Sequence, residues 1–145
     1  MAKTPPFYPQ ETDFSCAVAC LRMVLSHLGV SKTEAELREL CDCTILGTSA
    51  LELVFAARRL GFGASSKHTL TLADLIELTE HGYFPIVYVV SVPHVFAPDV
   101  HSFVVVSAIR EAIEVLDPQH GPRALDIDEF LESWSPMNNL AIVIA

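Results

Sequence analysis

Gln10 and Cys16 stand on either side of a short polar run, Glu-Thr-Asp-Phe-Ser. A cysteine becomes a nucleophile when its thiolate is populated and a base lies close. Cys16 falls where the polar run gives way to an apolar segment. There Val18, Leu21, Leu25 and Leu28 recur at three- and four-residue steps. That spacing predicts a helix, with Thr12, Asp13 and Ser15 as possible N-caps. Cys16 then sits in the first turn, where the helix dipole and unpaired N–H groups stabilise a thiolate. Gln10, on the incoming loop, carries an amide donor that can face an oxyanion. The base must be found elsewhere, among histidines 27, 68, 81, 94, 101 and 120. His101 opens a β-branched run, and Asp117 ends the next one. A hairpin centred near Ile109 sets residues 101 and 117 opposite each other. Their Cβ atoms are then ~5 Å apart, close enough for the carboxylate to orient the imidazole. His94, in a proline-bearing loop, is the rival base. His120 reads as a turn residue.

The elements that must position these groups follow in order. A first helix runs Ser15–Leu28 and stops at Gly29. Ser31–Glu36 has the cap-then-Glu pattern of a second helix start. A third helix, Ala50–Leu60, is capped by Thr48-Ser49. Gly63–Leu70 alternates weakly and reads as an edge strand. Thr71–Gly82 is a short helix with a glycine stop. Pro85–Val92 is a buried strand, and Pro93–Val100 is a loop. His101–Ile109 and Ile113–Asp117 form an antiparallel hairpin, followed by a turn cluster at Pro118–Pro122. Asp126–Trp134 is a short acidic helix, and Leu140–Ile144 is a last strand. Helices first and strands later indicate α+β with an antiparallel sheet. A length of 145 residues fits a single domain, 1–145.

Composition narrows the partners. Nine basic against 18 acidic residues give a net charge of −9. That argues against nucleic acid, which needs a basic footprint, and against docking on anionic lipid. No apolar run approaches the ~18 residues of a membrane span, and the start lacks an apolar signal region. The reading is a soluble, cytoplasmic protein with no membrane insertion. Without a secretory signal, Cys16, Cys20, Cys41 and Cys43 are expected to be free thiols. Cys41-Asp-Cys43 lacks the spacing of a zinc knuckle and has no second pair. No metal and no cofactor are expected.

The longer pattern is specific. Gln10, Cys16, Ala19-Cys20-Leu21-Arg22-Met23 and Gly29 come first. Gly47-Thr48-Ser49 and Ala57-Arg58-Arg59-Leu60-Gly61-Phe62 follow. Then come His101-Ser-Phe-Val104-Val105, Val115-Leu-Asp117-Pro118-Gln-His-Gly121 and Phe130-Leu-Glu-Ser-Trp134. This series resembles the papain-like cysteine peptidases that remove double-glycine leaders from bacteriocin-like precursors. Those usually form the N-terminal domain of peptide-exporting ABC transporters. The resemblance covers nearly all of Pro9–Ala145. One departure is Ser15-Cys16-Ala17, where the family commonly has Asp-Cys-Gly.

The resemblance implies a papain-like fold, with the nucleophile at the start of the first of the N-terminal helices, packed on a C-terminal antiparallel sheet. It implies Cys16 as nucleophile, His101 as general base and acid, Asp117 as orienter of His101, and Gln10 as oxyanion-hole donor. It implies cleavage after a small residue, the second Gly of a Gly-Gly pair, because the cleft near the sulfur is narrow. The implied partners are a peptide precursor, whose amphipathic leader docks on an apolar groove, and a peptide-exporting ABC transporter. The chain is then a free-standing peptidase or an excised domain. Two alternatives stay open. One is a non-hydrolytic binding module for an export substrate. The other is an acyl or peptidyl transferase using the same thioester.

Overall fold

The computed structural model describes residues 4–91 and 99–145. Helix α1, Cys16–His27, is the centre of one half. Its positions from Ala17 to Leu25 are almost all buried, as its apolar spacing requires. It ends on Gly29 at φ 91°, with the Gly29 N–H bonded to Ser26 and the Val30 N–H to Leu25. This is the left-handed helix stop that glycine permits at least cost. Helices α2 (Glu34–Leu40) and α3 (Ala50–Arg59) pack around α1. Thr33 and Ser49 cap them, each reciprocated by a Glu three residues on.

Among the described residues, one antiparallel sheet of six strands forms the middle layer. Its strands are β1 (Ser66–Thr69), β2 (Ile86–Ser91), β3 (Asp99–Ala108), β4 (Ala112–Asp117), β5 (Gly121–Asp126) and β6 (Leu140–Val143). Their order is β1-β6-β2-β3-β4-β5, so the strand expected in Gly63–Leu70 does lie at an edge. Strand residues alternate between two cores, as a period of two dictates. Ile86, Tyr88, Val104, Leu116 and Ile142 face α1, α2 and α3. Val87, Val89, Phe103, Val105, Ile113 and Val115 face the other side. There α4 (Leu72–Glu80) contributes Leu75, and α5 (Ile127–Trp134) contributes Phe130 and Trp134. The sheet is therefore covered on both faces, which explains the unbroken apolar run from Ile86 to Val90.

Three expectations change. β5 begins inside the expected turn cluster Pro118–Pro122 and runs on through Arg123–Leu125, a stretch with no expected element. Gly121-Pro122-Arg123 has no apolar alternation because β5 is an outer, largely exposed strand, the setting in which a strand tolerates proline. The hairpin register also differs. Val104 pairs with Leu116 and Val105 with Val115, and a bulge follows before Ser107 pairs with Glu114. Residue 117 is thereby level with residue 103, so His101 and Asp117 are diagonal neighbours rather than opposite ones. The turn is centred between Arg110 and Glu111 rather than at Ile109, since Ala108 pairs with Ile113, and the bulge then shifts the register back by one residue. Third, β3 begins at Asp99, inside the expected Pro93–Val100 loop. His94 lies outside the described residues.

Candidate active site

Three elements bring the expected residues to one cleft of about 1040 Å³, lined by Gln10, Cys16, His101 and Asp117 among others. α1 supplies Cys16 as its first residue. β3 supplies His101, and the end of β4 supplies Asp117. The incoming loop supplies Gln10, whose backbone N–H bonds the Pro118 carbonyl at 3.0 Å. That bond ties the loop to the turn that carries Asp117.

His101 Nε2 and Asp117 Oδ1 are 2.8 Å apart. A diagonal pair on one sheet face is still within reach of a long side chain. With Nε2 engaged, Nδ1 is the ring nitrogen left for Cys16. Asp117 is fully buried, which penalises its charge. The bond to His101 and that ring's charge outweigh the penalty, helped by the Gln119 N–H and the His120 side chain. The carboxyl is held well below the usual carboxylate range. Burial likewise works against a charged His101, but Asp117 and Cys16 raise its pKa to about 9. Burial raises the Cys16 thiol, and interaction with His101, helped by the Ser102 backbone and side chain, more than offsets this, leaving its pKa lowered. Each group thus favours the charged form of the other, thiolate beside imidazolium.

The other cysteines behave differently. Cys20 is fully buried, and desolvation pushes its thiol far up. Cys41 is pushed up to about 12, chiefly by burial. No disulfide joins any of the four.

Gln10 Nε2 donates to the Thr12 carbonyl at 2.8 Å, and its Oε1 is buried without a partner. One amide N–H is thus used locally and a second is left for another acceptor. Ser15 occupies the N-cap position of α1, yet its side chain makes no cap bond. It turns instead toward Glu34 and Thr12.

Sequence reasoning missed part of the Asp117 environment. The Gln119 N–H donates to Oδ1 at 2.9 Å, so Asp117 also closes an Asx-type turn. His120 Nδ1 lies 3.2 Å from Oδ2, and Arg123 Nε lies 3.5 Å from it. His120 is therefore a partner of Asp117 as well as a turn residue. The i,i+2 reach of an aspartate was the available signal, but Arg123 depended on the unrecognised β5. His101, Asp117 and His120 bring possible ligand atoms within 4.8 Å of one another. Among the described residues no cysteine belongs to a group of that kind. Convergence of two imidazoles on one carboxylate explains the geometry without an ion.

Known proteins share this chain's pattern. The ComA transport/processing ATP-binding protein of Streptococcus pneumoniae is 34% identical over 134 residues, covering 89% of this chain. The lactococcin-G-processing and transport ATP-binding protein LagD of Lactococcus lactis is 29% identical over 128 residues, covering 87% of it. The chain spans only 17% of the length of either. The crystal structure of the peptidase domain of Streptococcus ComA superposes with a TM-score of 0.78 at 28% identity, covering 94% of each chain. A double-glycine-motif protease from an AMS/PCAT transporter, crystallised with its leader peptide, shares the fold with a TM-score of 0.79. It is 19% identical and covers 99% of this chain and 94% of that one. The model of the Peptidase C39 family matches residues 5–144. With the match running through the incoming loop, both helical layers and the last strand, this chain belongs to the Peptidase C39 family.

Proposed function

We propose that the chain is a cysteine endopeptidase that removes leader peptides from bacteriocin-like precursors, cutting after a Gly-Gly or similar small-residue pair. The observation that carries this is Cys16 at the start of α1, sharing one cleft with the hydrogen-bonded His101–Asp117 pair. The Cys16 thiolate attacks the scissile carbonyl. The oxyanion is held by the Cys16 N–H and the free N–H of Gln10, each such donor being worth ~3 kcal/mol. Protonated His101 gives its proton to the leaving amine, and a thioester remains. His101, now neutral, takes a proton from water as hydroxide attacks the thioester. The carboxylate is released and the ion pair is restored. Asp117 keeps the ring oriented throughout.

Ile45 and Leu46 line the cleft and are 81% and 94% exposed. Leu51 and Phe55, four residues apart on α3, are also exposed. Exposed apolar residues of this kind suit the apolar face of a leader helix. The transport and processing names of ComA and LagD support a peptide-exporting ABC transporter as the partner, and a cytoplasmic location goes with that reading. Among the described residues no helix is long and apolar enough to cross a membrane.

The test is incubation of the pure protein with Gly-Gly leader precursors, read by mass spectrometry. Cleavage after the second Gly, lost in Cys16→Ala, is expected. Cleavage that survives Cys16→Ala overturns the proposal. A precursor that binds and is never cut shows a binding module, and an amine adduct in place of the free acid shows a transferase.

A further inference from the structure

The stretch from Gln10 to Cys16 carries both the proposed oxyanion donor and the proposed nucleophile. One buried carboxylate from another element holds it. Glu34, the first residue of α2, has no exposed surface. Its Oε1 accepts the Glu11 N–H at 2.9 Å and the Ser15 hydroxyl at 3.1 Å. Ser15 Oγ accepts the Thr12 N–H at 3.1 Å, and the Thr12 carbonyl accepts Gln10 Nε2 at 2.8 Å. Arg38, one turn along α2, places Nε 3.2 Å from Glu34 Oε2, close as an ion pair but not aligned as a hydrogen bond. Its Nη2 stands 3.9 Å from Glu11 Oε1.

Two features separate Glu34 from an ordinary helix-start acid. Thr33 and Glu36 already cap α2, so Glu34 is not needed to finish that helix. Ser15 forgoes capping α1, and its hydroxyl has Glu34 as the nearer acceptor at 3.1 Å and the Thr12 carbonyl as the farther at 3.3 Å. A buried carboxylate is costly unless donors converge on it. Here the donors are the Glu11 N–H and the Ser15 hydroxyl, next to the proposed catalytic groups. We propose that Glu34 is a positioning residue. Through Glu11 and Ser15 it sets the Gln10–Cys16 loop so that the Gln10 amide and the Cys16 N–H converge on one oxyanion. This rests on the roles proposed above for Gln10 and Cys16.

Cys16 can be modified in two ways that need different parts of the site. Alkylation by iodoacetamide needs the thiolate alone. Acylation by a p-nitrophenyl ester passes through a tetrahedral oxyanion. The ratio of the two rates, read by mass spectrometry at Cys16, reports the oxyanion hole apart from the thiol. In Glu34→Gln and in Ser15→Ala the ratio of acylation to alkylation is expected to fall about tenfold or more, with alkylation within about twofold of the native rate. A native-like ratio in a variant that still unfolds cooperatively on heating overturns the proposal. So does a parallel loss of both rates, which would assign Glu34 to the thiol or to the fold at large. Where Glu34→Gln does not fold, Ser15→Ala decides, because it keeps the Glu34–Glu11 bond. A native protein that is alkylated at Cys16 but not acylated also overturns it. Failure to cut any precursor leaves both rates readable and counts against the peptidase reading alone.

Discussion

Replacing Gln10 by alanine removes the amide while leaving the thiolate–imidazolium pair intact. For Gln10→Ala we expect kcat to fall about a hundredfold with KM little changed, since the lost bond exists only in the transition state. Steady-state cleavage of a precursor measures this, and an unchanged kcat excludes Gln10 from the oxyanion site. The charges on His101 and Cys16 set the pH profile. The imidazolium must give a proton to the leaving amine, so activity declines as His101 deprotonates through about 9. The acid side declines as the Cys16 thiolate is protonated, below the ordinary thiol value. Asp117→Asn removes the carboxylate that raises His101. Its alkaline limb is expected to move below 9 and kcat to fall about tenfold or more. A pH–rate profile of the two proteins checks both statements. A limb that does not move means Asp117 is not what charges the ring.

At the scale of elements, α5 is the seal on the far face of the sheet. Phe130 and Trp134 stack with centroids 5.0 Å apart, and Trp134 Nε1 donates to the Leu140 carbonyl at 3.0 Å. Trp134→Ala should therefore cost about 3–5 kcal/mol, because the cavity lies in a closed core. Chemical denaturation measures it. A loss under about 1 kcal/mol would mean that α5 packs without its anchor. This helix was legible as Asp126–Trp134, because Asp126 caps it and its apolar positions keep helical spacing. α1 and its stop at Gly29 were legible for the same reason. β5 was not, since an outer strand needs no apolar face. The diagonal relation of His101 to Asp117 was hidden as well, because the turn centre at Arg110–Glu111 and the bulge together set the register, and neither is marked by composition. Gln10 and Cys16 could be picked out by type and spacing. The grip of Glu34 on their loop could not, because it joins residues far apart in sequence through a carboxylate that looks like ordinary helix-start chemistry.

At the scale of the molecule, residues of the site also make the stability of the fold depend on pH. Asp117 has a folded pKa below its unfolded one, so its contribution to stability is present above ~4 and is lost as the medium becomes more acid. His101 has a raised folded pKa, so its contribution is full below ~6.5. It is lost as pH rises through about 9. The pair therefore stabilises most between roughly pH 4 and 6.5. We expect melting temperature to decline from there toward pH 9, and the decline to flatten in His101→Ala. A native-like slope in that variant would refute the linkage. The placement of residues 16, 101 and 117 on α1, β3 and β4 also has a consequence in time. At ~5–20 residues per second, roughly 5–20 s pass on the ribosome between the synthesis of Cys16 and that of Asp117. Until then the thiol lacks a base that is both made and oriented, and non-local strand pairing delays assembly further. The nascent chain is thus chemically silent, and the proposed site is complete only at a single late moment, when the middle of the sheet closes.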